Sequence, residues 1–159
     1  MKQSSKGFSL IELLIVVAII LIIAAIAIPN LLRSRIAANQ ASAVGSLRTL
    51  NTAEITYSST YNVGFTVTLG YLGPPASGNP TSTAAGLIDS VLSAGAKSGY
   101  TFAYAPGASD ATGRIDTYAF TAIPVSSNTG TNYYYTDQSG VIRQNSTTTA
   151  AATDSPIAG

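Results

Sequence analysis

Gly7-Phe8-Ser9-Leu10-Ile11-Glu12-Leu13-Leu14-Ile15-Val16-Val17-Ala18-Ile19-Ile20-Leu21-Ile22-Ile23-Ala24-Ala25-Ile26-Ala27-Ile28-Pro29 is the stretch on which the fold turns. From Leu13 to Ile28 every residue is apolar, and no charge appears until Arg33, 20 positions on from Leu13. A helix rises about 1.5 Å per residue, so such a run spans roughly 30 Å, the hydrocarbon thickness of a bilayer. Residues 8–32 are therefore expected to form a membrane-spanning or otherwise lipid-like helix. Lys2 and Lys6 precede the run and Arg33 and Arg35 follow it, so the positive charges do not orient it by count. The short basic flank favours a cytoplasmic N-terminus, with the bulk of the chain outside the cytoplasm.

Glu12 stands at the start of this run and needs a reason. An ionised carboxylate in hydrocarbon costs at least about 2.5–3.5 kcal/mol unless it is paired, which makes it a functional candidate by default. An ordinary secretory signal, with Ala25-Ile26-Ala27 as its cleavage site, accounts for the apolar core but not for Glu12. A permanent anchor accounts for the length and leaves Glu12 equally unexplained. Cutting the chain after Gly7 would remove both lysines and create a positive α-amine on Phe8, four residues before Glu12. That amine could meet the carboxylate of its own chain or that of a neighbour in staggered register. Ala18, Ala24, Ala25 and Ala27 supply small surfaces for close helix packing. Pro29 removes a helical hydrogen bond and is expected to kink or locally open the helix near the membrane boundary.

The order Gly7, Phe8, Glu12, unbroken apolar run, Pro29 resembles the N-terminal signature of type IV pilins and the related pseudopilins of type II secretion. The resemblance covers roughly the first 30 residues. It implies removal of a leader, residues 1–7, by a prepilin peptidase cleaving after Gly7, and N-methylation of Phe8 by the peptidase/methyltransferase. It further implies storage in the inner membrane, in contact with lipid and with an assembly machinery there. Extraction then yields a homo-oligomeric helical filament at the cell surface, with the apolar segments bundled at its centre. Glu12 and Pro29 would serve assembly. Many pilins carry a Gly partway along the run, where this chain has Leu21, so local melting of the helix is less strongly encoded. Many also close the C-terminal region with a disulfide, which this chain cannot form.

The composition narrows the function by what it lacks. With no His and no Cys among 159 residues, a His-dependent triad, a thiol nucleophile, the usual zinc sites and Fe–S clusters are excluded. Ser93 and Lys97 lie one helical turn apart, but nothing in the sequence predicts the buried, perturbed lysine that catalysis needs. No enzyme activity, no cofactor and no metal site are expected. The six acidic residues after Pro29 are scattered, so the alternating carboxylates of a calcium loop are missing. Eight basic and seven acidic residues, net +1, leave no electrostatic footprint for nucleic acid. Only 9% of residues are charged, while Ser and Thr fill 38 positions, so the surface is expected to be largely neutral hydroxyl.

Residues 33–159 read as a head. Ile36, Ala43, Leu47, Leu50 and Tyr57 share one helical face, with Arg35, Gln40, Arg48 and Asn51 elsewhere, so one helix is expected from about Ser9 to about Ser58, amphipathic over 33–58. Residues 59–98 read as a connection broken by Gly73-Pro74-Pro75, with a short helix over Ala84–Ala94 ended near Gly95. Across 99–145 four β-like runs follow, 100–104, 118–122, 132–136 and 141–144, the last two joined by Asp137-Gln138-Ser139-Gly140 in a type I turn. Tyr133-Tyr134-Tyr135 needs no role beyond a strand. Asn145-Ser146-Thr147 fits a glycosylation sequon, and the Ser/Thr-rich tail 146–159 suits disorder or O-glycan attachment. The fold expected is α+β, a long N-terminal helix packed on a four-stranded antiparallel sheet. The function expected is that of a pilus-like filament subunit; the alternatives are a pseudopilin and a secreted or membrane-anchored binding module.

Overall fold

The computed structural model describes residues 7–157; the leader residues 1–6 and the last two positions lie outside the described residues. The chain divides into two compact units, Met1–Arg35 and Ile36–Gly159, and the helix α1, Leu10–Tyr61, contributes to both. In the first unit α1 is apolar on all sides, and its large side chains from Leu10 to Leu32 are exposed. It is long and apolar enough to cross a membrane. The helix continues through Leu21 and Pro29. Pro29 has no N–H, so the carbonyl of Ala25 lacks its usual partner within the helix.

The second unit is an antiparallel meander packed with the rest of α1. Its strands are β1 Ala96–Lys97, β2 Tyr100–Pro106, β3 Tyr118–Pro124, β4 Tyr133–Asp137 and β5 Arg143–Asn145, in the order β1-β2-β3-β4-β5. The α+β class holds, with five strands rather than four. The additional strand is a two-residue edge that pairs Ala96 with Thr101 and Lys97 with Tyr100. Ser98 and Gly99 between them both have positive φ, +50° and +74°, as a type I′ hairpin turn requires. So short a strand has no alternation to read.

The core joins Ala43, Leu47, Leu50, Ala53 and Tyr57 of α1 to Tyr100, Phe102, Tyr118, Phe120, Ala122 and Tyr134 of the sheet. Ile36 is only half-buried. Asn51, placed by periodicity off the apolar face, is buried with it. The helix ends later than expected, at Tyr61, where Asn62 turns into the left-handed region at φ +55° while donating its N–H to the Ser58 carbonyl. Gly64 follows at φ +85°, so close to Ile115 that a Cβ there would collide with the Ile115 carbonyl oxygen.

Two expectations are corrected here. Of the helix expected over Ala84–Ala94 only α2, Ser90–Ser93, forms. The N–H groups of Ala85, Gly86, Leu87 and Ile88 bond instead to the carbonyls of Tyr71, Gly73 and Leu72, leaving none for a helical ladder. Asp89 then caps α2 by accepting from the Leu92 N–H, and Gly95 at φ +79° follows its end. The tail is not disordered over 146–157. Gln144 N–H donates to Ser155, Ile157 N–H donates to Ile142, and Ala150 is buried. The Asp137–Gly140 turn forms as read, with Gly140 N–H donating to the Asp137 carbonyl at 2.9 Å.

Candidate assembly site

Gly7, Phe8 and Ser9 precede the helix, and Phe8 is 77% exposed. The bond between Gly7 and Phe8 therefore lies in non-helical backbone. The helix begins at Leu10 with Ser9 in the capping position, and Ser9 N–H donates to Glu12 Oε2 at 2.9 Å. This is the return half of a capping box, in which the carboxylate at the third helical position satisfies a donor that the helix cannot. Its negative charge also suits the positive end of the helix dipole. The signal stands in the sequence, because Ser9-Leu10-Ile11-Glu12 has the Ser-x-x-Glu spacing. Spacing alone puts one helical turn between Phe8 and Glu12, yet Phe8 lies outside the helix. What the structure brings together is Glu12 and the backbone of Ser9, one residue beyond Phe8. Pro29 lies far along α1 and meets none of these residues.

A second set of polar residues went unread in the sequence. Glu54, on α1, has no exposed surface; it accepts from Thr66 N–H at 3.0 Å and from Thr66 Oγ1 at 2.5 Å. Tyr104 OH donates to the Thr66 carbonyl at 2.6 Å. One turn earlier, Asn51 Nδ2 donates to Thr136 Oγ1 at 2.8 Å and Asn51 Oδ1 accepts from Tyr118 OH at 3.1 Å. Together these bonds tie α1 to β2, β3, β4 and the loop after the helix, in a chain without cysteine. Burial pushes the Glu54 carboxyl above its ordinary range and the phenols of Tyr104 and Tyr118 upward as well; Tyr100 rises to about 12.

The remaining candidates are structural. Lys97 Nζ lies 2.8 Å from Asp89 Oδ2 and holds that carboxyl below its usual range, at a half-exposed position. Ser93 Oγ donates to the Ser90 carbonyl rather than facing Lys97. The sequon residue Asn145 uses its amide nitrogen on Asp154 and its oxygen on the N–H groups of Thr147 and Thr148. Among the described residues no cluster of three or more His, Cys, Asp or Glu is placed to hold a metal ion.

Comparison with known proteins points to the same end of the chain. Residues 2–28 match the family described as the prokaryotic N-terminal methylation motif. The type IV major pilin protein PilA of Myxococcus xanthus is 52% identical over 50 residues, covering 31% of this chain and 23% of the relative. The type IV wide pilus major component PilA4 of Thermus thermophilus is 65% identical over 37 residues, 23% of this chain and 28% of the relative. What this chain shares with these proteins is the N-terminal segment, which is similar to that of type IV pilins. The chain spans about a quarter of the length of these pilins, and no solved structure matches it.

Proposed function

We propose that this chain is a type IV pilin, the structural subunit of a type IV pilus-like filament. The leader 1–7 is removed after Gly7, Phe8 is N-methylated, and the subunit waits in the inner membrane, N-terminus cytoplasmic, with residues 8–32 in lipid. An inner-membrane machinery then draws it into a homo-oligomeric helical filament at the cell surface. The observation that carries this reading is the contrast along α1: large apolar side chains exposed from Leu10 to Leu32, with one carboxylate, Glu12, at their start. Exposed apolar surface on that scale calls for lipid or neighbouring copies to cover it. Cleavage would set a positive amine one residue before the Ser9 N–H that Glu12 already accepts. Each charge in a low-dielectric site is costly alone, so pairing across subunits would set their axial register.

Glu12→Gln tests the reading because its carboxamide oxygen can keep the bond from Ser9 N–H while the charge is lost. The expected result is a mature N-terminus at N-methylated Phe8 by mass spectrometry, membrane insertion intact, and filaments absent or sparse by electron microscopy. Normal filaments in the Glu12→Gln variant would overturn the pairing mechanism. A wild-type N-terminus at Ile28 would overturn the filament reading itself by establishing an ordinary signal peptide.

A further inference from the structure

Glu54 is a fully buried acid, and among the described residues no cation forms an ion pair with it. Thr66 supplies both of its hydrogen bonds, through the backbone N–H and Oγ1. The titratable groups that face it are all phenols: Tyr57 from α1, Tyr104 from β2 and Tyr118 from β3. The ion-paired bases among the described residues, Lys97 and Arg114, are engaged with Asp89 and Asp116. Burial in such surroundings favours the protonated acid and outweighs the two hydrogen bonds from Thr66, which favour the carboxylate.

We propose that Glu54 is a proton-held latch, whose neutral acid ties the loop after α1 to the helix and whose ionisation as pH rises loosens that loop. In the closed state the acid's proton lies in the 2.5 Å contact between Oε1 and Thr66 Oγ1, where Oε1–H donates in place of the hydroxyl that donates to an ionised carboxylate, while Oε2 accepts from Thr66 N–H. On opening, the proton leaves to hydroxide in solvent, and the Thr66 hydroxyl turns to donate to the carboxylate. The charge left behind has only neutral dipoles around it. Tyr104, which donates to the Thr66 carbonyl, links the same loop to β2. Loosening at Thr66 therefore reaches the sheet. The phenols titrate higher still and stay neutral throughout.

The raised carboxyl fixes the sign. A group whose folded pKa lies above its unfolded value of 4.5 contributes full stability below that value and loses it as pH rises through the folded pKa. The test compares thermal melting of the full-length chain in detergent, wild type against Glu54→Gln, from about pH 4 to about pH 9. The carboxamide of that variant can turn its oxygen to Thr66 N–H and its amide to Thr66 Oγ1, so the contacts survive without a titrating group. Relative to the variant, wild-type Tm should fall by about 3 °C per pH unit above about pH 4.5, then level off above the folded pKa. Parallel curves would overturn the proposal. Glu12 and Glu54 are the chain's two glutamates, so 13C-glutamate in a Glu12→Gln chain labels Glu54 alone. If Glu54→Gln does not fold, this carboxyl resonance decides: a midpoint above 4.5 supports the latch and one at or below it overturns it.

Discussion

The two glutamates stand in opposite worlds along one helix. Glu12 is exposed, at the start of a unit whose large apolar side chains are exposed; Glu54 is buried in a unit with a packed apolar core. Each accepts a bond from a backbone N–H, Ser9 in one case and Thr66 in the other. The bond in the first unit is local, three residues back, and needs only a helix to form. The bond in the second closes a loop of twelve residues and needs the head to be folded. The glutamate of the first unit is thus held by its own helix turn, and that of the second by the folded head.

Substitutions that delete apolar volume should separate the units most sharply. Phe120→Ala removes a side chain with no exposed surface and should cost about 3–5 kcal/mol in denaturant unfolding of the detergent-solubilised chain. Ile20→Ala, at an exposed site in the first unit, should leave that unfolding midpoint unchanged. An equal loss for both would mean that the two units are energetically coupled.

Backbone geometry offers the next largest contrast. Gly64→Ala combines φ +85° with a Cβ driven against the Ile115 carbonyl oxygen, so about 2–4 kcal/mol of stability should be lost on unfolding. Gly7→Ala meets no atom within 4 Å and should leave unfolding of the head untouched.

Buried polar bonding comes third. Asn51→Ala leaves Thr136 Oγ1 and Tyr118 OH without their partner and should cost about 1–3 kcal/mol. Asn30→Ala, exposed on the same helix, should fall within about 0.5 kcal/mol of wild type.

The smallest effect expected is at the half-exposed pair Lys97–Asp89. Lys97→Met should cost no more than about 0.5 kcal/mol at neutral pH. Because Asp89 is held below its ordinary 3.8, that contribution is present above this value and lost as pH falls through the folded pKa. Urea unfolding at neutral and at strongly acid pH should show the difference only in the first.

Much of this arrangement could be read before any coordinates. Twenty uncharged positions from Leu13 require a helix with a lipid-like environment, because nothing else satisfies so many backbone groups without water. The faces of Leu47, Leu50 and Tyr57, the alternating strands around Phe102 and Phe120, and the Asp137–Gly140 turn follow from local periodicity and turn chemistry. So do Gly7, Phe8 and Glu12 as candidates, since their meaning lies in spacing along one short segment. Polar residues on the amphipathic helix were different. Local pattern assigns Asn51 to the solvent side, and only partners far along the chain reverse this: Thr136 is 85 residues from Asn51, and Tyr118 is 67. Ala85 to Ile88 gave up their helical bonds to the Tyr71–Gly73 carbonyls, and the tail docked on Ile142 and Gln144, for the same reason. Local sequence determines which backbone conformations are cheap. Tertiary structure decides which polar groups can be buried, because burial is tolerated only where a distant residue supplies the hydrogen bond that water would otherwise make.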